Sequence, residues 1–160
     1  MLKKGLVSRM TASNTPKAVK KAVNKLNKIN GSGLLSAATK AFWMIHGHPV
    51  VIYDSNARRG LSLAGSVDYA TYFTEWFTFY KKNLVDVKDA QNWVSGIVCR
   101  QEFAGEWDVS CRRLRAFIQS RHFANRVVDV YLFHKGRDAR DEQDRQDGRS
   151  ARKTVTAFLR

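Results

Sequence analysis

The first 53 residues contain no aspartate and no glutamate. Ahead of Asp54, the first acidic residue, stand nine basic side chains (Lys3, Lys4, Arg9, Lys17, Lys20, Lys21, Lys25, Lys28 and Lys40), so this third of a 160-residue chain carries +9 of its net +14. A run of one sign points to a polyanionic partner, nucleic acid first and an anionic membrane surface second. The plainer alternative is a solvated basic face.

Cysteine is scarce as well. Cys99 and Cys111 are too few for a stapled secreted scaffold and lack a second ligand pair for structural zinc; both are expected to be reduced core residues. No apolar run reaches the length of about 20 residues that a membrane span needs, and no charged leader precedes an apolar one. A soluble, cytoplasmic, nucleoid-associated protein is therefore expected, with no membrane partner. No period-two run is long enough to build a sheet and no internal repeat is visible, so the fold class is all-α. With 44% hydrophobic residues the chain can bury one sizeable core, which predicts a single compact helical domain.

Helical spacing locates the elements. Thr15 is the expected N-cap of a helix with Pro16 at its first position and Val19, Ala22, Val23, Leu26 and Ile29 on one stripe, opposite a lysine-rich face. Asn30-Gly-Ser-Gly33 stops it. A second helix is expected from about Leu34 to His46, ended by Gly47 and Pro49. Val50-Val-Ile-Tyr53 is extended, and Asp54 or Ser55 caps a third helix through Arg58, Arg59 and Leu63. The aromatic run from about Val67 to Leu84 is the expected central helix. Further helices are expected over 88–99, 108–120 and 122–135. The charge-alternating segment from Arg137 to Lys153 is an exposed helix or disordered. The expected organisation is a flexible basic N-terminus over 1–13, a helical domain over 14–136 and a charged tail over 137–160.

Within this pattern Lys40 is out of place. On a helical wheel Leu34, Leu35, Ala38, Ala41, Phe42 and Ile45 share one arc; Lys40 lies opposite with Ser36, Trp43 and Met44, a side that is itself largely apolar. If both sides are covered, the amine lines a cleft where desolvation makes it a better nucleophile; the alternative is a lysine snorkelling from the edge of the core. Asp54 is either a cap or a carboxylate aimed at developing positive charge. His46 and His48 flank Gly47, but no further ligand completes a site, so no metal and no cofactor is expected. Cys99 has no cue to a neighbouring base. The aromatics from Trp43 to Tyr80 are mostly core, with one or two available to stack on an extruded base.

The order of residues in "TKAFWMIHGHPVVIYDSNARRGL" resembles the catalytic stretch of the helix-hairpin-helix DNA glycosylase superfamily, in particular its 8-oxoguanine glycosylase branch. There a Thr-Lys or Arg-Lys opens an apolar helix, a proline-containing segment follows, and an aspartate heads the next helix. "VIYDSNAR" and "NRVVDVYLFHKGR" are similar to runs in short bacterial members. Gly31 and Gly33 stand upstream of the position just before the lysine where the family presents its hairpin glycines, and the span between Lys40 and Asp54 is shorter than in the best-known members. The resemblance implies Lys40 as nucleophile, Asp54 as catalytic carboxylate, and removal of an oxidised or modified base with cleavage at the resulting abasic site. It also implies an aromatic base pocket. DNA contacts are expected from Lys17, Lys20, Lys21, Lys25, Lys28, Arg58 and Arg59. The alternative is a non-catalytic module of mobile-element type that binds nucleic acid or a protein partner.

Overall fold

The aromatic run that the sequence places at the centre is the helix around which the rest of the chain is laid. The computed structural model describes residues 10–30, 33–98 and 110–158. Helices α1 (Thr15–Asn30), α2 (Leu35–His46), α3 (Ser55–Gly60), α4 (Tyr69–Lys82), α5 (Leu84–Val98), α6 (Cys111–Ile118) and α7 (Arg121–Phe158) follow one another, with no strand among the described residues. The fold is an all-α single domain. Residues 1–9, Cys99 and the segment 100–109, where a helix start at Asp108 is expected, lie outside the described residues.

On α4, Tyr69, Tyr72, Phe73, Trp76 and Tyr80 are buried at helical spacing, and Asp68 caps its start by accepting from Ala70 N at 2.8 Å and Thr71 N at 3.1 Å. The expected run to Leu84 ends two residues early. Asn83 donates its side-chain amide to Phe79 O at 2.8 Å, and α5 starts at once from Leu84, ahead of the expected Lys88. On α5, Gln91 donates to the carbonyls of Ile118 and Ser120, tying α6 and the head of α7 to it.

The segment between α2 and α3 is strand-like but has no partner strand. Tyrosine hydroxyls take that role. Tyr69 Oη accepts from Val51 N at 3.2 Å and donates to Val51 O at 3.0 Å, Tyr72 donates to Ile52 O at 2.8 Å, and Tyr53 N donates to Thr39 Oγ1 at 3.0 Å. Val50 and Val51 are fully buried; the Tyr69 hydroxyl satisfies both backbone groups of Val51, and Val50 N donates to Gly47 O at 2.9 Å. Burial raises the pKa of both Tyr69 and Tyr72, so their hydroxyls stay protonated and able to donate.

Three expectations are corrected. Thr15 is the first helical residue and not the cap: its Oγ1 donates to Thr11 O at 2.7 Å, extending the helix start into a turn. On α2 the buried positions are Ala38 and Thr39, whereas Ala41 is exposed and Ile45 is 67% exposed, because Thr39 is drawn inward by Tyr53 N. Cys111 is disulfide-bonded and only half-buried, not a reduced core thiol. On α1 the expected stripe is buried at Val19 but open at Ile29, 77% exposed. The segment 137–153 is helical, a continuation of α7 through residue 136 to a length of about 57 Å.

Candidate functional site

Two glycines set the position of α3. A Cβ on Gly60 would overlap the Leu132 carbonyl oxygen, and one on Gly136 would overlap that of Asn56, so α3 lies backbone against backbone on α7. That contact brings the head of α3, and Asp54 with it, to the face of α7 that carries Arg126, Asp129, Val130, Phe133 and His134. These residues recur at helical spacing and form one stripe.

Between the stripe, α2 and the extended segment lies a cavity of about 370 Å³ lined by Lys40, Ile52, Asp54, Ala57, Arg126, Asp129, Val130, Phe133 and His134. The two residues singled out from sequence, Lys40 and Asp54, therefore meet at one concavity. Ala57 and Asp129 are its buried base, at 2% and 5% exposure, while Lys40, Arg126 and His134 are exposed at its rim. The guanidinium of Arg126 lies over the Trp43 ring at 5.9 Å, and Trp43 is stacked on His122 at 4.7 Å, which holds the arginine in place.

Asp54 caps α3: its Oδ1 accepts from Asn56 N at 2.8 Å and Ala57 N at 3.4 Å. Ser55 does not take the cap. Oδ2 of Asp54 has no hydrogen bond or ion pair among the described residues, where the ion pairs are Arg137 to Asp138, Arg140 to Asp141 and Arg145 to Glu142, all on α7. Lys40 is accordingly unpaired with Asp54, and it is exposed instead of covered on both sides, since α2 turns Ala41, Met44 and Ile45 to the surface with it. The expected aromatic lining is also corrected. Among the described phenylalanines, tyrosines and tryptophans only Phe133 lines the cavity, because Tyr69, Tyr72, Phe73, Trp76 and Tyr80 are committed to the core.

Sequence reasoning missed Asp129. Its Oδ1 accepts the Trp76 indole N–H at 2.9 Å, while Oδ2 is buried without a partner. Burial pushes its carboxyl up to about 7, against the lowering influence of the Trp76 hydrogen bond and the Arg126 charge; the negative charge of Asp54 adds to the rise. The signal was present in "VVDVYLF", a lone acid in an apolar run, the same anomaly that marked Lys40.

Of the expected DNA contacts, Lys17, Lys20, Lys21, Lys25 and Lys28 are exposed along one face of α1, where with Asn24 they line a shallow groove. Arg59 is exposed and donates to Asn56 Oδ1 at 2.9 Å, whereas Arg58 is half-buried with Nη1 lacking a partner. His46 stacks on Phe42 at 5.8 Å, and His48 Nδ1 lies 3.1 Å from Asn125 Nδ2, so the two histidines face different neighbours. Burial lowers the pKa of His48, as do the charges of Arg121 and His122. No group of three metal-ligating side chains occurs among the described residues, nor does a helix long and apolar enough to cross a membrane.

No family model, no curated protein and no solved structure matches this chain.

Proposed function

We propose that the protein is a DNA-binding base-excision glycosylase with abasic-site lyase activity, working through Lys40 and Asp54. The observation that carries this reading is the convergence of Lys40 and Asp54 on one base-sized cavity whose rim is otherwise cationic. In this mechanism the lysine face of α1 neutralises backbone phosphates, and a modified nucleotide is rotated out of the duplex into the cavity. The amine of Lys40 attacks the sugar C1′ as the bond to the base breaks; the electron pair of that bond leaves with the base, and the proton released by the amine passes to the departing base. The carboxylate of Asp54, held at the head of α3 by its own cap bonds, stabilises the positive charge that develops on the sugar. Ring opening then gives a Schiff base with Lys40, from which the strand is cleaved.

Borohydride trapping on duplexes carrying oxidised or otherwise modified bases tests the chemistry. The wild type is expected to form a covalent adduct and Lys40→Gln to form none; an equal adduct from the variant would rule out Lys40 as the nucleophile.

A second reading is favoured by the exposure of Lys40 and the use of Asp54 as a cap: a non-catalytic nucleic-acid-binding module, with a protein partner as a further option. It requires salt-dependent binding that Lys40→Gln and Asp54→Asn leave unchanged.

A further inference from the structure

Among the polar cavity residues that the glycosylase-like mechanism leaves without a task, Asp129 alone is buried. Asp129 lines the cavity at 5% exposure, with Oδ1 occupied by Trp76 and Oδ2 buried without a hydrogen-bond partner. An unmatched buried carboxyl oxygen is costly to keep unless something arrives to match it. The walls beside it, Ile52, Ala57, Val130 and Phe133, are apolar, which together with one convergent polar group and a volume of about 370 Å³ suits a flat, small, uncharged ring.

We infer that Asp129 is the recognition residue of this cavity, donating a hydrogen bond from its carboxylic acid Oδ2–H to a ring-nitrogen or carbonyl acceptor of an uncharged nucleobase-type heterocycle. This rests on the cavity being a base-sized site but not on Lys40 being a nucleophile. The charged and titratable groups facing Asp129 are Arg126 and His134 on its own helix, Lys40 from α2, Asp54 at the head of α3, and Tyr69 and Tyr72 from α4. Arg126 favours the ionised carboxylate and Asp54 opposes it. Burial outweighs the arginine and keeps the acid form populated up to neutral pH. A carboxylate could only accept from an N–H; the acid donates, so the affinity for an acceptor edge follows the protonated fraction.

Adenine and cytosine are suitable probes, since each presents a ring-nitrogen acceptor and stays uncharged near neutrality. Calorimetry with the full chain should show saturable binding that weakens about tenfold from about pH 6 to about pH 8, tracking a carboxyl that titrates near 7. Asp129→Asn keeps an acceptor for Trp76 and places an N–H donor where Oδ2 stood. It should therefore bind with little dependence on pH over that range. The wild type offers a second readout that needs no variant: carbon NMR should show the Asp129 midpoint rising when adenine is added. Absence of saturable binding, affinity that is flat or rises with pH, the same pH dependence in Asp129→Asn, or a midpoint that falls or stays put would each overturn the inference. Failure of borohydride trapping with this binding intact would instead remove the lyase reading alone.

Discussion

Asp129→Asn gives a pH-dependent stability effect whose sign is opposite to that expected of an ion-paired carboxylate. In the unfolded chain the aspartate titrates near 3.8, and in the folded protein burial raises it to about 7. The folded state therefore retains a proton that the unfolded state has released. The stabilisation is fully present below the unfolded value and is lost as pH rises through the folded one. At about 1.4 kcal/mol per unit, the roughly 3 units amount to a loss of about 4 kcal/mol over that window. About 2 of those units lie above pH 5, so between about pH 5 and about pH 8 the wild type should lose about 3 kcal/mol that Asp129→Asn does not. The amide conserves volume and still accepts from Trp76 Nε1, and other titrating groups cancel when the variant is compared with the wild type at each pH. Urea unfolding of both proteins at the two pH values measures it, with the gap between midpoints widening in favour of the variant by about 1 M or more. A gap that stays constant or narrows would refute the buried, protonated carboxyl.

Gly60→Ala and Gly136→Ala should each destabilise by about 2 kcal/mol or more in urea, although alanine is the better helix former by about 1 kcal/mol, because the new Cβ meets a backbone carbonyl of the opposite helix; a neutral or stabilising alanine would mean that α3 and α7 are not in backbone contact. Asp54→Asn should leave stability nearly unchanged, since the amide oxygen still caps, while Asp54→Ala should cost about 1 kcal/mol. Base release that survives Asp54→Asn at the wild-type rate would show that the charge has no part in the chemistry. Replacing Lys20 and Lys25 together by glutamine should reduce the slope of log affinity for duplex DNA against log salt by about 2, and an unchanged slope would place the phosphate contacts elsewhere.

What the sequence conveyed was local, and what it withheld depended on partners distant in the chain. The α4 stripe and the stop at Gly47 follow from spacing and from a positive φ of 61° that glycine adopts without strain. The wheel of α2 showed two apolar arcs and could not choose between them. The choice is made by Tyr53 N, which pulls Thr39 inward and so turns Ile45 out. Asn83 offered no helical signal, yet by bonding to Phe79 O it ends α4 and lets α5 begin in the same step. Beyond residue 136, α7 persists without a core beside it, and side chains spaced along the helix support it, Gln143 to Asp147 at 2.9 Å and Arg145 to Glu142 at 3.7 Å among them. Lys40 and Asp54 stood out in the sequence, one as a lone cation in an apolar helix and one at a helix head, and both line one cavity. Asp129, a lone acid in an apolar run, carried the same kind of signal, but its helix reads as core and what it faces is set by α3, which is laid against it.

Asp54 caps α3 through one oxygen only, so the cap bonds leave its second oxygen available for the role proposed above. Oδ1 accepts from Asn56 N and Ala57 N, which fixes the carboxylate relative to the α3 backbone; Oδ2 is left without a protein partner beside the cavity. Asp129 repeats the division, with Oδ1 tied to Trp76 and Oδ2 unpartnered. In both, the bond that serves the fold is what holds the other oxygen in position, so that no rotamer freedom is lost when a ligand arrives. The cations are arranged the opposite way. Lys40, Arg126 and the α1 lysines are exposed, and the guanidinium of Arg126 is steadied by the face of Trp43. Under the proposed reading, carboxyl groups held by the fold beneath an exposed cationic rim favour a ligand whose charge stays outside while an uncharged ring enters. A flipped nucleotide has that division of polarity, with its phosphates on one side and its base on the other.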